Sequence, residues 1–433
     1  MFGSGTYQGG ENFSLRDVLQ QGRALNLRER TALFGSVLDS LALGGRNLYR
    51  REVQTAADRE VLVADPASGQ ITPLLMFGSN NYLGLANHPY VKTQVRRAVA
   101  TYGVGVGGPP LLNGYTSLHR KLEERLAVLK HAEDAMLFST GYGANVGLVT
   151  GLAGPKDFVL YDEYSHASFC DGIKMAGARA LRFRHNDVAR LERMLERFAP
   201  SAERDTFVGV EGVYSMDGDA APLDKIVPVC HRHGALVVLD DAHGTGVMGP
   251  TGSGTAEHFG VEGSVDVTMG TFSKAFGVVG GFVCASKPII DYLRFFARSY
   301  MFSASLPPIV VAAVLAGLDV TEQEPGLLRA LRSNVAYATR GLRGLGFEVD
   351  PAAAIIVLRV PEDMDIRRAA GRFHDAGIFV NSIEYPAVPL HEQRFRISIM
   401  ATHTTADIDR LLAVVKDIWA DRSLRVADEN LAA

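Results

Sequence analysis

The sequence predicts an α/β protein with a mainly parallel central sheet, followed by a small α+β domain. Two observations support this fold class. From about residue 75 to residue 320, short apolar runs that end in polar residues or glycine alternate with helix-length segments. After Pro325 the order changes to helix, strand, helix, two strands and a final helix. The length of 433 residues fits two or three domains.

Apolar runs of three to five residues in the first region are predicted to be strands of one sheet. Near-continuous Val, Leu and Phe runs are typical of strands that are covered on both faces. The helix-length segments between them imply right-handed crossovers between parallel neighbours. The runs are Ala135–Phe138, Phe158–Leu160, Phe207–Val210, Leu236–Leu239, Val265–Thr268 and Gly281–Cys284. Ligands of such sheets bind at the carboxyl ends of the strands.

The rest of the chain frames this sheet. We predict an N-terminal arm over residues 1–75, a large domain over 76–322 and a small C-terminal domain over 323–433. The arm contains a helical pattern around Leu25–Leu43. The predicted elements of the small domain are a helix Gly326–Leu345, a strand Ala354–Leu358, a helix Ile366–Ala376, strands Ile378–Val380 and Phe395–Ile399, and a helix Thr405–Trp419.

Composition excludes several classes of function. Hydrophobic residues make up 47% and charged residues 21%, which excludes a mainly disordered chain. The formal charge of −4 argues against nucleic acid as the main partner. The longest apolar run, Ile309–Leu318, is too short to cross a bilayer, and residues 1–10 lack the pattern of a secretory signal. The cysteines Cys170, Cys230 and Cys284 are far apart, so we expect neither a disulfide framework nor a metal cluster, and a reducing cytoplasm fits.

Two strand ends carry the groups with the clearest chemistry. Asp240 ends an apolar strand, and His243 follows three residues later. A buried carboxylate there requires a cation, which a ligand with a protonated ring nitrogen supplies. Lys274 lies in a Gly, Ser and Thr turn after the strand Val265–Thr268, where partial desolvation favours Schiff-base chemistry. The alternatives are a helix-capping aspartate with a solvated histidine, and an ordinary surface lysine.

Other positions add binding groups. Gly141 and Tyr142 open a helix directly after a strand, where free backbone N–H groups bind phosphate, although the chain lacks the ending of a Walker A loop. His166 follows the strand Phe158–Leu160 and is placed either to stack on a flat ring or simply to be hydrogen-bonded. Arg396 lies in an apolar stretch and requires an anion, which is either a substrate carboxylate or the partner in a structural ion pair.

Together these groups match one cofactor, pyridoxal 5′-phosphate (PLP). PLP requires a lysine for its aldehyde, an acid for its pyridinium nitrogen, a group that stacks on its ring and a cup for its phosphate. Lys274, Asp240, His166 and the turn at Gly141 supply these groups. The sequence therefore predicts PLP, and no metal, in the site.

The motifs also resemble the α-oxoamine synthase family over roughly residues 75–415. The serine palmitoyltransferase branch is the most similar, with 8-amino-7-oxononanoate synthase next. The resemblance implies a fold-type I PLP-dependent transferase fold, like that of aspartate aminotransferase. The matching motifs are Ser79–Gly84, Leu112–Tyr115, Ser165–Ser168, Phe183–Asn186, Glu211–Asp219, Asp240–His243, Gly270–Lys274 and Phe302–Pro308.

The resemblance implies catalytic roles for four residues. Lys274 holds the cofactor as a Schiff base and later transfers protons. Asp240 pairs with the ring nitrogen, and His166 stacks on the ring. His243 is implied to bond the ring 3-hydroxyl. All four are therefore expected to contact the cofactor.

The resemblance also implies binding residues around these four. The implied phosphate and cofactor ligands are Gly141, Tyr142, Thr271 and Ser215. Ser303 and Ser305 are similar to residues that reach the phosphate from the neighbouring subunit, which implies a homodimer with shared active sites. Arg396 and Asn81 are implied to bind the amino-acid substrate.

The implied reaction is the decarboxylative condensation of a small L-amino acid with an acyl thioester to give an α-amino ketone. Serine, glycine and alanine stay open as donors, and acyl-CoA and acyl-carrier protein as acyl sources. Gly108-Pro109-Pro110 stands where the family usually reads Gly-Ser/Thr-Arg, in a loop that lines the amino-acid pocket. We predict that Gly103–Gly108 is an irregular loop and not a dinucleotide site, because the two prolines that follow block the helix which such a site needs. Pro386–Pro389 lacks the substrate-contacting threonine of some members.

Four competing functions remain. One alternative within the family is an 8-amino-7-oxononanoate synthase or a synthase of a secondary metabolite. On the same fold, a transaminase or a lyase would act without a thioester. A non-catalytic PLP-binding module is disfavoured by the negative charge and by the lack of a DNA-binding segment before residue 50. A silent partner subunit would lack the lysine that is present as Lys274.

Overall fold

The computed structural model describes residues 15–43, 48–65 and 69–425 and divides the chain into two compact units. Unit 1 contains the described residues up to Ser79, Asn334–Pro351 and those from Ile355 onward. Unit 2 contains Asn80–Ser333 and Ala352–Ala354. The structure therefore divides the chain mainly after residues 79 and 333, whereas the sequence predicts divisions after residues 75 and 322.

The strands of the described residues belong to three sheets. In chain order they are β1 (Glu52–Val53), β2 (Glu60–Ala64), β3 (Ile71–Met76), β4 (Asp134–Phe138), β5 (Phe158–Asp162), β6 (Arg179–Phe183), β7 (Thr206–Glu211), β8 (Leu236–Asp240), β9 (Val267–Thr271), β10 (Gly281–Ala285), β11 (Ile355–Arg359), β12 (Ile378–Phe379), β13 (Asn381–Ile383) and β14 (Arg394–Ser398). The runs predicted from the sequence all lie within or overlap these strands.

The α-helices of the described residues occupy both units. In chain order they are α1 (Leu15–Gly22), α2 (Leu27–Leu43), α3 (Pro89–Tyr102), α4 (Ser117–Leu129), α5 (Gly141–Leu152), α6 (Ala167–Ala176), α7 (Val188–Phe198), α8 (Leu223–Arg232), α9 (Thr255–Phe259), α10 (Lys287–Phe296), α11 (Arg298–Met301), α12 (Pro308–Gln323), α13 (Gly326–Gly344), α14 (Ile366–Asp375) and α15 (Thr405–Ala420). Among these helices, none combines the length and the apolar character that crossing a bilayer requires.

Unit 2 is built on a seven-stranded sheet with the order β4-β10-β9-β8-β7-β5-β6. The neighbours from β9 to β6 are parallel, as predicted. The strand β10 is antiparallel to both β9 and β4. Only residues 272–280 join β9 to β10, and that connection is too short for the crossover that a parallel pair requires.

The large sheet is covered on both faces. Val238 packs in one apolar cluster with Met136 and Phe169. Its neighbours Val237 and Leu239 pack in the other cluster. Because successive side chains of a strand point to opposite faces, this alternation means that β8 is buried on both sides. The near-continuous apolar runs of the sequence therefore predict the buried sheet correctly.

Unit 1 combines a four-stranded sheet, β1-β2-β3-β12, with a three-stranded sheet, β11-β14-β13. The predicted strand at Ile378 pairs in parallel with β3, where Ile378 lies opposite Leu75. The N-terminal strands and a C-terminal strand thus form one sheet. Before them, α1 and α2 pack through an apolar cluster of Val18, Leu33, Val37 and Leu41.

Candidate active site

The carboxyl ends of neighbouring strands in unit 2 deliver the predicted groups to one edge of the sheet. Asp240 is the last residue of β8, and in register it lies between Glu211 of β7 and Met269 of β9. The turn with Lys274 follows β9, and the turn with His166 follows β5. Since the strands from β5 to β9 are parallel, these turns leave the sheet on the same side.

Asp240 is buried, with 7% of its surface exposed. Its Oδ2 accepts a hydrogen bond from Asn145 Nδ2 at 2.7 Å, and its Oδ1 accepts one from the Ala242 N–H at 3.1 Å. No Lys or Arg of the described residues forms an ion pair with it. Burial raises the pKa of Asp240, while the Asn145 hydrogen bond opposes that rise. The carboxyl therefore has the environment that a cationic ring nitrogen of a ligand would complete.

A chain of hydrogen bonds joins Asp240 to His166. The second proton of the Asn145 amide is donated to Ser168 Oγ at 2.9 Å. Ser168 Oγ lies 2.7 Å from His166 Nδ1, which also accepts from the Ser168 N–H. Nδ1 is thus the acceptor, and the proton of the neutral ring is on Nε2. His166 is the N-cap residue of α6 and is exposed, so it is accessible to a ligand.

The adjacent aspartate, Asp241, has a different role. Its Oδ2 lies 2.7 Å from Lys130 Nζ, in an ion pair whose side chains are only 1% and 4% exposed. Its Oδ1 accepts from Thr255 Oγ1 at 2.7 Å. Asp241 is therefore engaged in internal contacts, whereas Asp240 stays the carboxylate that is predicted to face a ligand.

His243 is buried, with 6% of its surface exposed. Its Nδ1 lies 2.7 Å from the hydroxyl of Tyr82, and that hydroxyl donates to Asn80 Oδ1. The phenol oxygen therefore accepts from Nδ1–H, which fixes the orientation of the imidazole ring. The alternative of a capping aspartate with a solvated histidine is wrong, because both Asp240 and His243 are buried.

The predicted phosphate site is the N-terminus of α5. Thr140 caps the helix by accepting from the Gly143 N–H at 2.9 Å. A Cβ on Gly141 would lie 2.8 Å from Thr271, so glycine lets the helix approach β9 closely. Thr271 Oγ1 donates to the Gly280 carbonyl, and Tyr142 donates its phenol proton to Asp171 at 2.5 Å. Gly141, Tyr142 and Thr271 thus lie together, as the sequence predicts.

The Lys274 turn is anchored on both sides. Phe272 and Phe276 are buried, whereas Lys274 itself is partly buried. The Gly277 N–H donates to the Lys274 carbonyl, and Gly277 has φ +65°. A side chain at Gly277 would be strained there and would lie 2.6 Å from Ala86, so glycine is required. The lysine is held on a fixed turn and is not an ordinary surface residue.

Within this protomer, the predicted residues Ser303 and Ser305 lie close to the start of α5. Ser303 Oγ is 3.4 Å from Ser139 Oγ, and Ser139 also donates to the Ala304 carbonyl. The Ser305 N–H donates to the Gly108 carbonyl at 3.0 Å, which ties this run to the glycine-rich loop. Ser305 Oγ is buried and has no hydrogen-bond partner among the described residues. That these two serines bind the phosphate in the site of a second copy stays a prediction.

Three further predicted residues are placed as follows. Ser215 is buried and follows β7, which ends at the buried Glu211. Asn81 is also buried, and its Oδ1 accepts from the Ala86 N–H at 3.2 Å. In unit 1, Arg396 lies on the central strand β14, where Asn381 is its register partner, and is 9% exposed.

The residues present fit PLP. The buried Asp240 matches a ring nitrogen, His166 is accessible to a ligand, and Lys274 is held at the adjacent strand end. The N-terminus of α5 at Gly141, which packs closely against Thr271, matches a phosphate site at a helix N-terminus. No three His, Cys, Asp or Glu side chains of the described part are grouped to hold a metal ion.

Two residues of this site, Asn145 and Ser168, were not predicted. Asn145 has only 1% of its surface exposed and lies on α5 between the buried residues Ala144 and Val146. A buried amide on an otherwise apolar helix requires partners, and this is the signal that points to it in the sequence.

Known proteins are similar to this chain in sequence and in structure. The aminotransferase class I and II family profile matches residues 72–415. A serine palmitoyltransferase of Bacteriovorax stolpii is 42% identical over 78% of this chain and 81% of its own length. An 8-amino-7-oxononanoate synthase of Geotalea daltonii is 39% identical over 89% of this chain and 97% of its own length. The structure of a serine palmitoyltransferase variant from S. paucimobilis with bound PLP has a TM-score of 0.83 and is 33% identical, covering 93% of this chain and 98% of that chain.

Proposed function

The chain belongs to the aminotransferase class I and II family, and from this premise we propose that it condenses a small L-amino acid with an acyl thioester. It is a PLP-dependent acyltransferase of the α-oxoamine synthase type. The proposed donors are serine, glycine and alanine, and the proposed acyl sources are acyl-CoA and acyl-carrier protein, as in a serine palmitoyltransferase. The observation that supports this most strongly is the buried Asp240, without an ion-pair partner among the described residues, at the strand end beside the Lys274 turn.

PLP, when bound, supplies an electron sink for negative charge at the α-carbon of the amino acid. Lys274 Nζ removes the α-proton and later returns a proton to the same carbon. The carboxylate of Asp240 keeps the proton on the ring nitrogen, and Asn145 and the Ala242 N–H hold that carboxylate in place. Arg396 is proposed to bind the carboxylate of the amino acid until it leaves as carbon dioxide.

The condensation replaces the C–S bond of the thioester by a C–C bond. The thiolate leaves with a proton, and carbon dioxide leaves with the electron pair of its C–C bond remaining on the α-carbon. We assign the stabilisation of the developing oxyanion to His166 or His243. Because Nδ1 of His166 accepts from Ser168, its Nε2–H is the group that donates. One such donor contributes about 2.7–4 kcal/mol to the transition state.

A homodimer with shared sites is part of this proposal. Next to Ser303, the surface of unit 2 carries exposed aromatic side chains on α10 and just beyond α11. Tyr292, Phe295, Phe296 and Phe302 are 49–70% exposed. A second copy would cover this apolar surface. Sedimentation velocity measures the mass, and Phe296→Glu is expected to shift it from dimer to monomer.

Carboxyl-labelled amino acids test the reaction. We expect the PLP-loaded protein to release labelled carbon dioxide from one donor only when an acyl thioester is present, with one free thiol per carbon dioxide. Thioesters of graded chain length then separate a long-chain synthase from an 8-amino-7-oxononanoate synthase or a secondary-metabolite enzyme. A lyase would release carbon dioxide without thioester, and a transaminase would form an oxo acid. Either result contradicts the proposal.

A reducing cytoplasm remains the predicted location, since all three cysteines are free thiols.

A further inference from the structure

His185 lies between two carboxylates beside the active site. It follows β6, the edge strand of the large sheet. Its Nδ1 is 3.0 Å from Asp162 Oδ1, and its Nε2 is 2.7 Å from Asp219 Oδ2. The ring of Tyr164 stacks on it at 4.3 Å, and the ring of Tyr214 meets it edge-on at 4.5 Å. The imidazole is thus fixed on every side.

Each ring nitrogen of His185 faces a carboxylate oxygen, and this arrangement favours the protonated, cationic ring. Ionised carboxylate oxygens accept hydrogen bonds and do not donate, so both ring nitrogens must carry protons. Burial alone lowers the pKa of His185, but the hydrogen bonds to Asp162 and Asp219 raise it to about 10. The fully buried Asp162 gains from this cation the charge compensation that burial demands.

Asp162 holds the turn that presents His166. Its Oδ1 accepts from the Tyr164 N–H at 2.9 Å, and its backbone carbonyl accepts from the Ser165 N–H at 3.0 Å. These bonds close the turn that ends at His166, the N-cap residue of α6. The place of the His166 ring therefore depends on the place of the Asp162 carboxylate.

Asp219 closes the turn that presents Ser215. Its backbone carbonyl accepts from the Tyr214 N–H at 2.9 Å. Its Oδ2 accepts from Asn186 Nδ2 at 3.1 Å as well as from His185. The turn from Tyr214 to Asp219 is thus tied to the chain that follows β6.

We propose that His185 is a positioning residue that locks the turn carrying His166 to the turn carrying Ser215. The His185 cation bridges a carboxylate at the end of β5 and a carboxylate in the turn after β7, without itself touching the reacting groups. The inference rests on the proposed roles of His166 and Ser215 in binding PLP. It goes beyond them, because His185 itself has no contact with the cofactor in this account.

The test compares two substitutions that each remove a cation between two acids. His185→Gln removes the bridge between Asp162 and Asp219. Arg294→Gln is the matched control, because Arg294 bridges Asp134 and Asp291 at the opposite, amino end of β4. For both apoproteins we measure the melting temperature, the dissociation constant of PLP and the circular dichroism of bound PLP. The dissociation constant of PLP and the circular dichroism of bound PLP report the geometry of the site and not its activity.

We expect His185→Gln to weaken PLP binding about tenfold and to change the circular dichroism of the bound ring. Arg294→Gln is expected to lower the melting temperature and leave PLP binding within about twofold. Adding Asp219→Asn to His185→Gln removes one of the two carboxylates that lose their cation and is expected to restore part of the affinity. Unchanged PLP binding in His185→Gln, or an equal loss in Arg294→Gln, would overturn the proposal.

A second measurement covers the case in which His185→Gln does not fold. In the wild-type apoprotein at pH 8, nitrogen NMR is expected to show both nitrogens of His185 protonated. A neutral His185 ring at that pH would refute the bridge. A wrong proposed function gives a different result from a wrong role of His185. If the proposed function is wrong, the wild-type protein releases no carbon dioxide that depends on the thioester, whatever the protonation state of His185.

Discussion

Asn145→Leu tests the hydrogen-bond chain behind Asp240 most sharply. Asn145 is 1% exposed and donates to Asp240 at 2.7 Å and to Ser168 at 2.9 Å. Leucine has a similar volume and donates nothing. The bond to the carboxylate contributes about 1.5–3 kcal/mol and the neutral bond about 0.5–1.5 kcal/mol. We therefore expect the apoprotein to lose about 2–4 kcal/mol of unfolding free energy at neutral pH.

The loss depends on pH in a defined direction. Burial raises the pKa of Asp240 in the folded protein above its unfolded value, and the Asn145 hydrogen bond lowers it. A carboxyl of this kind contributes stability below its unfolded pKa, and that contribution is lost as the pH rises through the folded pKa. Without Asn145 the folded pKa of Asp240 rises further. The variant must then lose more stability than the wild type as the pH increases from acid to neutral.

Urea unfolding of the apoproteins from about pH 4 to pH 8 measures this difference. The control is Asn334→Leu, which removes an amide that donates to the carbonyls of Met400 and His403 in unit 1. Its destabilisation should change little with pH. We also expect PLP to bind Asn145→Leu about 10–100-fold more weakly. A destabilisation of Asn145→Leu that is the same at every pH, with wild-type PLP affinity, would refute the reasoning.

Three further predictions concern charged residues. Asp241→Asn breaks the buried ion pair with Lys130 and should lower the free energy of unfolding in urea by about 3–5 kcal/mol. The PLP dissociation constant of the folded fraction should stay nearly unchanged. A large loss of PLP affinity at constant stability would contradict this prediction. Arg396→Lys should raise the KM for the amino acid about 10–100-fold and leave that for the thioester unchanged, so equal increases would argue against a carboxylate site. Burial and the nearby Asp240 raise the pKa of Glu211 well above its usual value, so the wild type loses stability as the pH rises towards that pKa. Glu211→Gln should reduce this loss and leave the part that is due to Asp240. Melting temperatures that fall equally between pH 6 and pH 9 in the wild type and in Glu211→Gln would show the assignment to be wrong.

The sequence predicts those parts of the site that are local in the chain. Each apolar run of the large sheet ends at a polar turn, and these turns supply Asp240, Lys274 and His166. Since parallel strands meet at one edge, their convergence follows from the pattern alone. Asp240 is buried, which is the condition for the argument that it requires a cationic ligand; that role itself stays a prediction.

The features that escaped prediction depend on contacts between distant residues. Asn145 and Asp240 are 95 residues apart, and no periodic pattern reports their hydrogen bond. The edge strand β6 contains the exposed residues Arg179 and Arg182, and so lacks the continuous apolar run of a central strand. The strand β12 pairs with β3 across about 300 residues, a partnership that its own sequence does not encode.

Borohydride reduction of the PLP-loaded protein, followed by peptide mass spectrometry, tests the central assignment most directly. Reduction fixes the lysine–aldehyde bond as a stable amine, so the modified peptide identifies the lysine that holds the cofactor. We predict a single phosphopyridoxyl group on Lys274 and none in Lys274→Ala. A label on another lysine, or a wild-type protein that takes up no label at all, would contradict the account.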